Sequence, residues 1–308
     1  MLSKLNKNLG LLLFNNPNTI NYIIFNKFYS KFISKIKDLG DDALEFHKNG
    51  FVKTKDKSLK LVDFINNNII NKQQNNISEN ETKYLFSIPD ECREKILKLL
   101  HQDYGLIIKD LEKYYNNKIG ILEIIIKRHF PISSEENYYQ NTIRDKSKEF
   151  YSNYYHVDYY VGTYFKMFIN LQDVSEKNGP LNIYNIKSSK EFIIKNNYKN
   201  RLNYKVNDLQ DKLFKNIGDK GQTVIANTTK CLHKAENVQS GKRDVMVITF
   251  GAIPEKVEKD ANTYFDYYEK KNSEIVWNKN GQYTKIYKPK NFKSTIKLLI
   301  NFFKAKIA

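Results

Sequence analysis

A mainly β domain of the α+β class, an antiparallel jelly roll with helices flanking it on the N-terminal side, is the fold this sequence predicts. Three short runs rich in β-branched and aromatic residues, Tyr164 to Leu171, Gly221 to Asn227 and Arg243 to Phe250, alternate with polar loops such as SEKNGP and NVQSGK. These runs are too short and irregular for a parallel α/β sheet, whereas two packed antiparallel sheets accommodate them. The helical signals all come earlier in the chain, which places α elements outside a β core.

Residues 1–40 read as a basic N-terminal arm, with a short apolar run from Leu9 to Phe14. No run approaches the ~18 apolar residues of a membrane span. The lack of acids before Asp38 fits a mitochondrial presequence, and the lack of arginine does not. The folded domain spans residues 41–260. Its text opens with DDALEFHKNG, a helix stopped by Gly50, followed by a strand in FVKTKD. Ser58 to Asn71 and Pro89 to Tyr115 read as helices, the second with Asp90 and Glu91 at its positive end and Ile96, Leu99 and Leu100 on one face. The Asn-rich stretch Asn66 to Asn80 reads as a loop. Ile121 to Ile126 is a β run, after which His129 is expected on a loop or the surface, with a pocket position as the alternative; His47 and His101 fall in helical patterns as structural residues. Residues 261–308 form a basic extension, where Phe292, Ile296, Leu299, Ile300 and Phe303 recur at helical spacing between lysines. That amphipathic helix suits docking on its own domain, or contact with an anionic membrane surface.

With 308 residues, 41% of them hydrophobic and 14% aromatic, the chain can bury a substantial core. Cys92 and Cys231 lie far apart without zinc-finger or CxxC spacing, so no disulfide framework or structural zinc site is indicated and a reducing compartment fits. The net charge of +17 is concentrated at the two ends. Residues 1–37 carry six lysines and residues 275–308 carry eight, neither stretch with an acid, so the 237 residues between them hold only +3. This distribution argues against a basic nucleic-acid-binding face. Five arginines among 51 basic residues also match the codon bias of an AT-rich genome.

His156-Val157-Asp158, followed by His233 and Arg243, is the constellation that carries chemistry. On a β-strand, residues i and i+2 face the same way and can grip one metal ion. Two imidazoles and one carboxylate on one side of ferrous iron leave positions open for other ligands. His-x-Asp alone is weak, because 34 acids in 308 residues put an acid at a given position about 11% of the time. An arginine ten residues after a histidine is the sharper signal, at about 2%. Arg243 also starts an apolar β run, from which a guanidinium can pair bidentately with a carboxylate. Lys166 shares a strand face with Tyr164, Phe168 and Asn170, from which it either approaches the pocket or, the commoner case, is a solvated lysine. Cys231 either shares the face of His233 or serves as a small buried residue, and the Tyr154-Tyr155 and Tyr159-Tyr160 pairs either line the substrate cavity or, as the default, take part in ordinary packing.

The segments HVDYYVGTYFKMFINLQDVSEKNGPLNIY and GQTVIANTTKCLHKAENVQSGKR, with LEFHKNGFVKTK before them, resemble the phytanoyl-CoA dioxygenase-like proteins over residues 40 to 255. The resemblance implies a double-stranded β-helix, a cupin-like variant of the jelly roll. It implies Fe(II), 2-oxoglutarate and O2 as cofactor and co-substrates, with His156, Asp158 and His233 as iron ligands and Arg243 as partner of the distal 2-oxoglutarate carboxylate. The activity expected is hydroxylation of an unactivated C–H bond in a small or medium-sized organic substrate, releasing succinate and CO2. Related halogenases replace the carboxylate ligand by a small residue, and Asp158 stands against that chemistry here. Two departures are visible. Tyr184 to Ser189 replaces the family's Pro-Gly-Ser-His turn at the substrate entrance, and Val245 stands where some 2-oxoglutarate oxygenases have the serine of Arg-x-Ser.

No G-x-G-x-x-G, Walker A loop, GxSxG elbow or H-E-x-x-H occurs, so nucleotide hydrolysis, serine hydrolysis and zinc proteolysis have no support. The competing reading is a catalytically inert jelly roll that binds nucleic acid or an anionic membrane through its basic ends. A cytoplasmic location is expected, with a peripheral-membrane or mitochondrial one as alternatives.

Overall fold

The computed structural model describes residues 39–77, 83–115, 118–131, 155–158, 164–198 and 213–253; the N-terminal arm and the C-terminal extension with its amphipathic helix lie outside them. Helix α1 (Asp41–Asn49) starts with two acids at its positive end and stops at Gly50, whose φ of 81° is left-handed. A Cβ there would collide with Cys231 Sγ and the Ile186 side chain, so glycine is required for close approach as well as for the turn. Strand β1 (Phe51–Lys53) follows.

Helix α2 (Leu59–Ile65) does not give way to a loop at Asn66. It runs on through a π turn at Asn66–Ile70 and short helical turns to Asn76, because Ile69 and Ile70 keep the apolar stripe facing the core. Asn67, Asn71, Asn75 and Asn76 are exposed on it, while Asn66 donates from Nδ2 to the Leu171 carbonyl at 3.0 Å; composition alone read as a loop. After β2 (Lys83–Phe86), helix α3 (Asp90–Tyr115) buries nine residues along its length.

The remaining elements are β3 (Lys118–His129), β4 (Tyr164–Asn170), β5 (Leu181–Tyr184), helix α4 (Ile186–Lys195), β6 (Leu213–Lys215), β7 (Thr223–Ala226), β8 (His233–Ala235) and β9 (Arg243–Ile253). They build a six-stranded sheet in the order β1-β7-β4-β9-β3-β2 and a three-stranded sheet in the order β6-β5-β8, every named pairing antiparallel. His156 bridges His233 and so extends the small sheet beyond β8. Following the chain, β3 lies in the large sheet, His156 in the small, β4 in the large, β5 and β6 in the small, β7 in the large, β8 in the small and β9 in the large. This repeated crossing between two antiparallel sheets is the winding of a jelly roll in its double-stranded β-helix form.

Alternation along the strands separates two cores. Phe165, Met167, Ile169, Met246, Ile248 and Phe250 point out of the large sheet and pack with α1, α2 and α3. There the Tyr115 and Phe250 rings stack on either side of Phe165, with centroids 5.8 and 5.1 Å away. Each fully buried Leu, Ile or Phe in this layer contributes roughly 1.5–3 kcal/mol. Phe168, Val224, Val245 and Val247 point inward and meet Leu181 and Ile183 of the small sheet. The helices therefore wall off one side of the large sheet, and its other face is the inside of the roll.

Candidate metal centre

His156 and Asp158 are held by backbone before any side-chain contact is made. His156 donates its amide to the His233 carbonyl at 3.0 Å and accepts the His233 amide at 2.9 Å, while the Asp158 amide donates to the Thr228 carbonyl at 2.8 Å. The two rings come to 4.3 Å between centroids. Asp158 Oδ1 lies 3.7 Å from His156 Nε2 and 3.8 Å from His233 Nε2. One ligand atom from each of the three residues lies within 4.8 Å of the others.

His233 Nδ1 lies 3.0 Å from the Cys231 carbonyl. A carbonyl can only accept, so Nδ1 carries a proton, and in the neutral, metal-binding form of the ring Nε2 presents a lone pair. That lone pair faces a carboxylate oxygen, another acceptor, in a pocket where His156 and His233 are 6% and 5% exposed. Acceptors so arranged call for a cation between them, and the donor set of two imidazoles and one carboxylate fits a divalent first-row metal.

Lys166 belongs to this group and is not a solvated lysine. It sits on the inward face of β4, its side chain is 16% exposed, and Nζ forms an ion pair with Asp158 Oδ2 at 2.8 Å, on the oxygen turned away from the histidines. Burial works to raise the Asp158 carboxyl, but Lys166, His233 and His156 outweigh it and hold the group well below the usual carboxylate range.

Arg243, first residue of β9, is 4% exposed and shares the inward face with Val245 and Val247. Its Nε and Nη1 are buried with no hydrogen-bond partner among the described residues. Burial pushes the guanidinium down to about 10, partly offset by Glu236, so it stays charged at neutral pH. Directly across the β3–β9 ladder stands His129. It ends β3 and is not on a surface loop; its Nε2 is sealed from solvent and likewise without a partner among the described residues.

The segment that departs from the family's turn has a structural role. Asn185 caps α4 by accepting the Ser188 amide at 2.8 Å, and Ser189 Oγ accepts the Leu232 amide at 2.9 Å, bracing the residue before His233. Serine spacing after an Asn cap was the available signal. Cys231 is buried against Gly50 and donates to the Asn49 carbonyl at 3.7 Å; burial pushes its thiol up, which marks a packing residue. Tyr155 packs on Tyr184, with centroids 5.0 Å apart. His47 bonds Tyr114 Oη at 3.1 Å and is structural.

No protein-family model and no curated protein matches the chain, so the phytanoyl-CoA dioxygenase-like resemblance has no support from either. Solved structures of similar fold include HygX from Streptomyces hygroscopicus with nickel and 2-oxoglutarate bound, at 11% identity and a TM-score of 0.42, covering 70% of this chain and 88% of that one. SnoN, a non-heme α-ketoglutarate-dependent epimerase from nogalamycin biosynthesis, is 10% identical with a TM-score of 0.43, covering 69% and 82%. The non-heme monooxygenase ThoJ, as a nickel complex, is 12% identical with a TM-score of 0.42, covering 70% and 78%. The fold assignment rests on this chain's own strand order. Among the described residues no helix is long and apolar enough to cross a membrane.

Proposed function

We propose that this chain is an Fe(II)- and 2-oxoglutarate-dependent oxygenase that hydroxylates an unactivated C–H bond of a small or medium-sized organic substrate. The observation that carries the proposal is the pairing of a buried two-histidine, one-carboxylate cluster with a buried guanidinium two of whose nitrogens have no partner among the described residues. His156, Asp158 and His233 would hold the metal, which when bound supplies a coordination site for a 2-oxo acid and for oxygen activation. Arg243 would take the distal carboxylate of 2-oxoglutarate, since a buried charge with no hydrogen-bonded counter-ion among the described residues is costly until an anion arrives. Lys166 holds Asp158 Oδ2 and leaves Oδ1 on the side of the histidines. Phe168, Val245 and Val247 keep water from the interior of the roll. Asp158, the carboxylate that halogenating relatives lack, favours hydroxylation over halide transfer.

The test is succinate formation from 2-oxoglutarate under air with Fe(II), including uncoupled turnover without a substrate. The expected outcome is iron- and oxygen-dependent succinate in the wild-type protein and its loss in His156→Ala, Asp158→Ala and His233→Ala. Wild-type rates in all three variants would sink the proposal. An inert jelly roll acting through its basic ends would show neither Fe(II) affinity nor turnover.

A further inference from the structure

The geometry points to His129 as a second binding residue for the carboxylate held by Arg243, donating from Nε2 into the inside of the roll and helping to select dicarboxylate over monocarboxylate 2-oxo acids. The inference rests on the proposed function and assigns a role within it to a residue that no motif singles out.

The register comes first. His129 and Arg243 are directly opposed across β3 and β9, so their side chains leave the sheet on the same face, about 5 Å apart at Cβ. Arg243 shares that face with Val245 and Val247, which line the inter-sheet core, so both side chains belong to the interior. Three buried nitrogens then stand together: Arg243 Nε, Arg243 Nη1 and His129 Nε2, none with a partner among the described residues.

The chemistry of the pair restricts what can complete them. Burial first, and the Arg243 charge next, hold His129 well below the ordinary histidine range, with Lys127 and Lys83 pushing the same way. The ring is therefore neutral and has one N–H to place. It could have served Arg243 as an acceptor, yet neither of the two buried Arg243 nitrogens bonds to Nε2. An acceptor shared between the two residues satisfies all three nitrogens at once. A carboxylate does so with its two oxygens, one toward the guanidinium and one toward the Nε2–H tautomer. The field of Lys127 and Lys83 favours an anion at the same place. Glu236, which also feels Arg243, is already engaged by Asn182 Nδ2 at 2.6 Å and Lys234 Nζ at 2.8 Å.

The experiment compares two 2-oxo acids that differ at the distal end. The full-length protein loaded anaerobically with Fe(II) is titrated calorimetrically with 2-oxoglutarate and with 2-oxobutyrate, which lacks the distal carboxylate. In His129→Leu, affinity for 2-oxoglutarate should fall about 10- to 100-fold, the range for a hydrogen bond to a charged acceptor. Affinity for 2-oxobutyrate should stay at the wild-type value. His129→Gln, which restores a donor, should recover most of the loss, and its thermal melt reports whether the strand end is intact. Unchanged 2-oxoglutarate binding in His129→Leu overturns the inference while leaving the proposed function standing. Equal weakening of both ligands, or no rescue by glutamine, also overturns it. Wild-type protein that binds no 2-oxoglutarate overturns both.

Discussion

Adjacent rungs of the β3–β9 ladder carry two arginines that meet burial in opposite ways. Arg128 leaves the large sheet on its helix-facing side, where its Nε and Nη2 bond Asp244 Oδ1 and Oδ2 at 2.6 and 2.7 Å and its guanidinium stands 5.3 Å from the Phe86 ring centroid. One rung along and on the opposite face, Arg243 is just as buried but meets His129, which cannot neutralise it. The first pair is complete within the fold. The second carries a desolvation cost that, among the described residues, Glu236 only partly offsets, and under the proposed function an anionic ligand would meet the rest.

Removing the Arg243 charge should have the largest effect on function and little on stability. Arg243→Leu is expected to weaken 2-oxoglutarate binding by 100-fold or more in calorimetry. In urea melts without ligand it should leave stability unchanged or raise it by about 1–4 kcal/mol, because a buried charge that Glu236 only partly compensates has gone. Arg128→Met should do the reverse, costing about 3–5 kcal/mol by stranding Asp244. If both variants lost stability equally, Arg243 would have a structural partner and the contrast would collapse.

Lys166 sharpens the comparison from the metal side, since its counter-ion is itself a proposed ligand. Lys166→Met should lower Fe(II) affinity by about 10- to 100-fold, the range for outer-shell partners, with Lys166→Arg less affected. Competition against a chromogenic chelator measures this directly. Metal affinity equal to wild type in Lys166→Met would reduce the ion pair to packing.

Lys230 gives the effect most narrowly confined to one pH window. Burial pulls this amine from 10.5 to about 7, so it can meet desolvation by shedding its proton, an option closed to arginine. Between those two values the unfolded chain keeps a proton that the native state has released, so stability rises with pH across that window. Below pH 7 both states are protonated and the native state bears the full cost of charging. Lys230→Met should flatten the rise in urea midpoint between pH 7 and pH 10; an unaltered slope would remove Lys230 as its source.

These contrasts show what could be read from the chain and what could not. His-x-Asp, the distal histidine and the arginine ten residues later were visible because strand periodicity and spacing are local properties. The jelly roll was legible for the same reason, from strand length and polar punctuation. His129 was weighted toward a loop because its place on the inward face follows from a partner 114 residues away, and only strand register brings the two together. Lys166 was misjudged because lysine on a strand is usually solvated, and the ion pair that keeps it inside is tertiary. The continuation of the helix past Asn71 was hidden by exposed polar residues such as Asn75 and Asn76. α4 was read only as a departure from another protein's turn, since a cap bracing a distant strand leaves no periodic trace.

The mutual amide bonds between His156 and His233 make the spacing of the cluster a property of main chain. Side chains can be exchanged there without loosening the scaffold that aims them. Truncating either imidazole should leave a cavity of imidazole shape in an otherwise unaltered frame, open to refilling from solution by free imidazole or by unnatural heterocycles. The centre is in that sense a socket, whose dimensions were set by two peptide groups before any metal entered it.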